Sequence, residues 1–193
     1  MQQIVSVIVS ILITFGMQAG IVNMVMTTPQ EATQDFLTGL KACDQNTMEK
    51  YMDNSYVNFI CNIEGDEKVV DRMNEALFKN FSYEIEQVKQ KNDVAVAKVL
   101  IKSPDFSNVM TEYSETSYDY IMDNLYEDSI ADKEALNAKC LELYVEQIEK
   151  AAESDKIVET TVFVPMIENN YYGWDIVMTD EFMMSVLGNL EMP

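Results

Sequence analysis

The sequence predicts an α+β domain in which helices precede and interrupt a pair of antiparallel hairpins. Three observations carry that reading. Apolar residues recur at helical spacing from Pro29 to about Phe78. The period then drops to two over "FSYEIEQVKQ" and "DVAVAKVLIK", and again over "KIVETTVFVPMIEN" and "YYGWDIVMTD". A helical stretch dense in acidic residues lies between the two strand pairs.

The chain opens on "QQIVSVIVSILITFGMQAGIVNMVM", and Ile4 to Met26 carries no charged side chain. Wholly helical, that segment would span roughly 35 Å, enough for a hydrocarbon core of about 30 Å. No small-x-small cleavage site follows it, since Met17 and Gln18 stand where small residues are needed, and no cysteine follows for lipid attachment. The expectation is therefore an uncleaved signal-anchor over residues 1–28, with a signal peptide and a buried helix as the alternatives. No Lys or Arg precedes the stretch, and the first basic residue is Lys41. A start codon upstream of Met1 would account for that. On this reading residues 29–193 form one extracytoplasmic domain at the cell membrane, or a secreted one.

The domain starts on a helix signal: Thr28 caps, Pro29 takes the first turn and Glu31 completes a capping box. Ala32, Phe36, Leu37, Leu40 and Cys43 form its core stripe. "DQNTMEKYMD" predicts a short second helix with Asn46 as cap and Met48, Tyr51 and Met52 inward. "NSYVNFICNIEGD" reads equally as helix or strand. Asp66 caps a third helix, with Val69, Val70, Met73, Leu77 and Phe78 facing the core. The first hairpin turns within Gln90 to Asp93, and the second within "NNYYG". Pro165 marks an edge or a bulge in its strand. "DEFMMSVLGNL" closes the chain as an amphipathic helix behind Thr179 or Asp180.

Between the hairpins, Ser107 to Glu153 predicts two helices separated near "EDSIAD". From Asp105 to Asp155 there are fourteen acidic and three basic residues, a net −11 out of the chain's −20. Val109, Tyr113, Ile121 and Leu125 on one helix, with Leu136, Cys140, Leu143 and Tyr144 on the other, suffice to pair and dock them. Little apolar surface should remain for a hydrophobic interface.

The helix–hairpin–helical excursion–hairpin order resembles the NTF2-like (cystatin-like) α+β fold. "TPQEATQDFLTGLKACDQNTMEKYMD" is similar to the first helix pair of NTF2-like domains in Gram-positive lipoproteins and membrane-anchored proteins. "YGWDIVMTDEFMMSVLG", a Trp-bearing strand before a terminal helix, fits the same pattern. The resemblance covers Pro29 to Leu190 apart from the acidic insertion, and this chain lacks the lipobox cysteine. It implies helices on a curved antiparallel sheet and a pocket between them. It transfers no catalytic residue.

Composition narrows function further. A net charge of −20 opposes nucleic acid, because like charges repel phosphate backbones. The chain contains no histidine, which removes Ser-His-Asp and Cys-His catalysis and His-ligated zinc. Cys43, Cys61 and Cys140 form no CxxC spacing and read as buried thiols. Asp119, Asp123 and Glu127 share a helix face and are the candidate cation ligands, although no calcium-loop pattern or turn glycine accompanies them. Tyr113, Tyr120, Tyr171 and Tyr172 are the candidate pocket aromatics, against a packing role for the same rings. The functional expectation is a non-catalytic binding or interaction module without cofactor. Its partner would be a small molecule, a cationic peptide or a cell-envelope component. An enzyme using Asp, Glu or Tyr as acid–base groups in the pocket is the alternative. A carboxylate buried beside a tyrosine would favour the enzyme, and a closed apolar interior the binding module.

Overall fold

A computed structural model of the chain describes residues 27–53, 57, 65–169 and 173–191. The Ile4–Met26 segment, Cys61 with most of "NSYVNFICNIEGD", and Tyr171 and Tyr172 lie outside the described residues.

Helix α1 (Pro29–Lys41) begins on the expected capping box: Thr28 Oγ1 accepts from the Glu31 N–H, and the Glu31 carboxylate accepts from the Thr28 N–H. Its face of Ala32, Phe36, Leu37 and Leu40 is buried. Helix α2 (Gln45–Met48) is capped by Asp44, not by Asn46 as the sequence suggests. The Asp44 carboxylate takes both the backbone N–H and the hydroxyl of Thr47, which starts the turn two residues early. Asp66 caps α3 (Glu67–Phe78).

Strands β1 (Ser82–Lys91) and β2 (Val94–Pro104) meet at a two-residue loop in which Asn92 is left-handed. A bulge between Ile85 and Gln87 interrupts their register. Without the extra residue, Val88 would point to the opposite face from Phe81, Tyr83 and Ile85; with it, Val88 sits opposite Ala97. Strand β3 (Ile157–Glu168) pairs with β2 over its whole length, and β4 (Trp174–Ile176) pairs only with Met166 to Glu168. The sheet is an antiparallel meander in the order β1-β2-β3-β4.

Pro165 explains the shortness of β4. The Val177 N–H donates to the Pro165 carbonyl, so the proline's ring nitrogen points to the same side and offers no hydrogen in return. The ladder ends there.

Helices cover one face of the sheet. Ala95, Ala97, Val99 and Ile101 on β2 and Val162, Val164 and Met166 on β3 are fully buried against α1, α3 and the last helix, α7 (Asp180–Val186). Trp174 joins the same core as Phe36 and Leu40 and is 3% exposed. The other face is open to solvent: Phe163, Ile167 and Val94 remain about half exposed there.

Thr179 caps α7 through the Phe182 N–H, and α7 ends in a Schellman motif. The Gly188 N–H reaches the Ser185 carbonyl and the Asn189 N–H reaches the Met184 carbonyl, with Gly188 left-handed at φ 55°. Its carbonyl accepts from the Phe106 N–H, which fixes the chain end to the start of the insertion.

The insertion forms a helical arm. Helix α4 (Val109–Asp123), a single turn α5 (Asp128–Ala131) and α6 (Lys133–Glu153) replace the expected pair. Asp132 caps α6, and its C-terminal half (Leu143, Tyr144, Val145, Ile148 and Ala152) is buried in the domain core. Among the described residues no helix is long and apolar enough to cross a membrane.

Candidate functional site

Between helices and sheet the described residues form an apolar core. Among the described residues the buried polar side chains are Thr33, Ser103, Gln147 and Ser185. Each has a hydrogen-bond partner within the fold. Thr33 donates to the Pro29 carbonyl, Ser103 to the Ser185 and Val186 carbonyls, and Ser185 to the Glu181 carbonyl. Gln147 accepts from Lys150. None is a carboxylate.

An Asp–Tyr pair does occur at the rim. The Tyr51 hydroxyl donates to Asp35 at 3.0 Å, but Asp35 lies on the exposed side of α1. Burial of the ring, and then the Asp35 carboxylate, push the Tyr51 hydroxyl up to about 12. At neutral pH it is a fixed donor and a poor proton shuttle.

A groove of about 650 Å³ runs between α3 and α6. Arg72 spans it with a bidentate contact to Glu149, at 2.9 and 2.6 Å. Each partner strengthens the other's charge: Glu149 lowers through Arg72, and Arg72 rises through Glu149. Lys79, Lys150, Glu75, Glu146 and Glu153, with Ala76 and Ala152, complete the lining. Among these described lining residues the only ion pair is Arg72–Glu149, and the apolar side chains are two alanines.

Of the candidate aromatics, Tyr113 and Tyr120 are among the described residues, and both pack within the arm. Tyr113 packs edge-on against Tyr144 with ring centroids 5.4 Å apart, sealing α4 to α6. Tyr120 lies under the Lys139 ammonium at 5.9 Å. Neither lines the groove.

The candidate cation ligands lead to a different feature. Asp119 and Asp123 are exposed on α4, and Glu127 is exposed in the turn beyond it. Among the described residues no three acidic, histidine or cysteine side chains converge to hold a metal. The same segment carries Tyr118 (62% exposed), Met122 (51%), Leu125 (47%) and Tyr126 (98%). Tyr118 and Met122, at i and i+4, share one stripe of α4, and Asp119 and Asp123 form the neighbouring stripe.

The tip of the arm is thus apolar and acidic together, contrary to the expectation that the insertion keeps little free apolar surface. Helical spacing puts Leu125 on the packing face, but it stays half exposed because α4 ends at Asp123 and the chain turns away. The signal was present in "YDYIMDNLYED". Helical spacing identifies the stripes, but it does not say which stripe another helix covers.

No protein-family model matches the chain, and no curated protein matches it. Among solved structures, a candidate lipoprotein of Bacillus subtilis is similar at 22% sequence identity and a TM-score of 0.45. The match covers 84% of this chain and 47% of that one, so this chain spans less than half its length.

Proposed function

We propose that the chain is a non-catalytic interaction module, carried outside the cytoplasm on a membrane anchor formed by Ile4 to Met26. Its arm tip would engage a cationic, amphipathic partner such as a basic peptide segment. The observation that carries this reading is the tip itself: Tyr118, Met122, Leu125 and Tyr126 are exposed beside Asp119, Asp123 and Glu127. Apolar rings and a soft methionine supply desolvated contact area, and flanking carboxylates orient a partner of opposite charge.

The architecture is read as NTF2-like. Support comes from the order of helices, hairpin, helical excursion, hairpin and terminal helix, and from the bulge in β1, a feature of curved sheets.

Anisotropy of a fluorescein-labelled Lys/Leu amphipathic peptide tests the tip. The full-length chain in detergent should bind it, and Tyr126→Ala combined with Asp123→Asn should weaken binding at least tenfold. Equal binding by the variant would overturn the assignment. Protease added to intact cells tests the topology. It should remove the domain, and the purified chain should keep its N-terminus; a mature chain starting between Ala19 and Thr28 would replace anchoring with secretion.

A further inference from the structure

The sheet has two free edges, and they are built differently. The outer edge of β1 carries Glu84, Glu86, Lys89 and Lys91 and is broken by the bulge after Ile85. Charges and a bulge are the usual defences against strand pairing. Along Ile157 to Phe163 the β3 edge beyond Pro165 has no bulge and a single charge. There β4 has ended, and β3 pairs on its other side with β2 in unbroken register from Ile157 to Ile167.

Backbone direction follows from the contacts at each end. The Pro165 carbonyl faces β4, whereas the Glu168 N–H and the Lys156 carbonyl face the β2 side. With a two-residue alternation, the N–H and C=O groups of Ile157, Glu159, Thr161 and Phe163 all point out of the free edge. Among the described residues none of these groups finds a partner. Their side chains lie on the open face, where Ile157 is 42% and Phe163 is 57% exposed. Glu159, the single charge in the run, is already neutralised by Lys102 at 2.7 Å.

We infer that this edge pairs with the same edge of a second copy, antiparallel about a two-fold axis at Thr160. That register sets Ile157 against the other copy's Phe163, and Glu159 against its Thr161. Each apolar side chain thereby gains an apolar cross-strand neighbour, and the two glutamates do not face each other. It is the self-complementary arrangement expected of a two-fold contact. The run is short, so the pairing is weak in dilute solution, and confinement of copies to one surface would favour it through effective concentration. The inference rests on the β2–β3 ladder and not on the proposed role of the arm tip.

Register-specific crosslinking of the full-length chain tests it. In the proposed register Thr160 faces its own symmetry mate as a non-hydrogen-bonded pair, within reach of a disulfide. Val158 would lie about 13 Å from its mate, out of reach. Under mild oxidation Thr160→Cys should give at least tenfold more disulfide dimer than Val158→Cys, over the background of the unsubstituted chain. Adding Thr161→Pro removes an outward N–H without touching the ladder to β2, and should abolish the crosslink while the circular dichroism is kept. Phe163→Glu, at an exposed position, should do the same. Equal crosslinking at 158 and 160, no dimer at 160, or a crosslink that survives both Thr161→Pro and Phe163→Glu would overturn the pairing.

Discussion

Replacing Gly188 with Ala should cost this domain about 2–4 kcal/mol, and the figure adds a backbone cost to the loss of hydrogen bonds. Gly188 sits at φ 55°, where a non-glycine residue costs about 1 kcal/mol. A Cβ there would stand 1.9 Å from the Pro104 carbonyl oxygen and 2.9 Å from the Phe106 ring. Relief requires a shift of roughly 1 Å between α7's end and β2's end, the spacing that ordinary packing demands. That shift strains the Phe106 N–H to Gly188 bond at 2.8 Å and the Ser103 hydroxyl bonds to the Ser185 and Val186 carbonyls. Losing one or two such buried bonds adds about 1–3 kcal/mol.

For a domain of this size each kcal/mol moves the midpoint by about 2–4 °C, so thermal unfolding by circular dichroism should fall by about 10 °C. Gly188→Asn separates the two causes. Asn tolerates the left-handed region but keeps the clash, so it should be nearly as damaging. Asn189→Gly, at φ 62° on the motif's last position, should cost little. An alanine variant melting within about 2 °C of the parent would refute the tight approach of Gly188 to Pro104.

Three other outcomes rest on separate parts of the molecule. Trp174→Ala should cost about 3–5 kcal/mol because the indole is buried in the main core; a native fluorescence spectrum typical of exposed indole would contradict that. Burial pushes both Tyr51 and Tyr144 from 10 up to about 12, with Asp35 and Tyr113 respectively adding to it. A raised folded-state value favours the neutral hydroxyl, so this stabilisation is present below pH 10 and is lost as the pH climbs through 12. Denaturant unfolding between pH 9 and 12 should show that loss, and Tyr51→Phe should flatten part of it. Because Asp119, Asp123 and Glu127 are all exposed, sodium, magnesium and calcium chlorides at matched ionic strength should raise the melting point equally by screening. A calcium-specific rise that disappears in Asp123→Asn would establish a cation site instead.

The features legible in the sequence were those decided by neighbours along the chain. Thr28, Pro29 and Glu31 specify the start of α1 within a single turn, and the structure forms that box. The alternation of Phe81, Tyr83 and Ile85 identifies β1's buried face, but Val88 falls out of phase, and only the pairing with β2 shows that a bulge absorbs the difference. Asp44 prevails over Asn46 as cap because its carboxylate serves both the amide and the hydroxyl of Thr47. "LGN" carried the signal for α7's Schellman end, yet the need for glycine also depends on Pro104, which is distant in sequence. At the arm tip, composition gave the acidic residues but not the exposed apolar ones. Met122 and Leu125 resemble core positions until the extent of α6's cover is known.

Methyl NMR of the full-length chain with the Lys/Leu amphipathic peptide tests most directly whether the protein works from the arm tip or from its interior. The account predicts that the Met122 and Leu125 methyls shift on titration, while Val99, Val162 and Met166, all fully buried on the inner face of the sheet, stay in place. Shifts confined to Val99, Val162 and Met166 with an unmoved tip would contradict it.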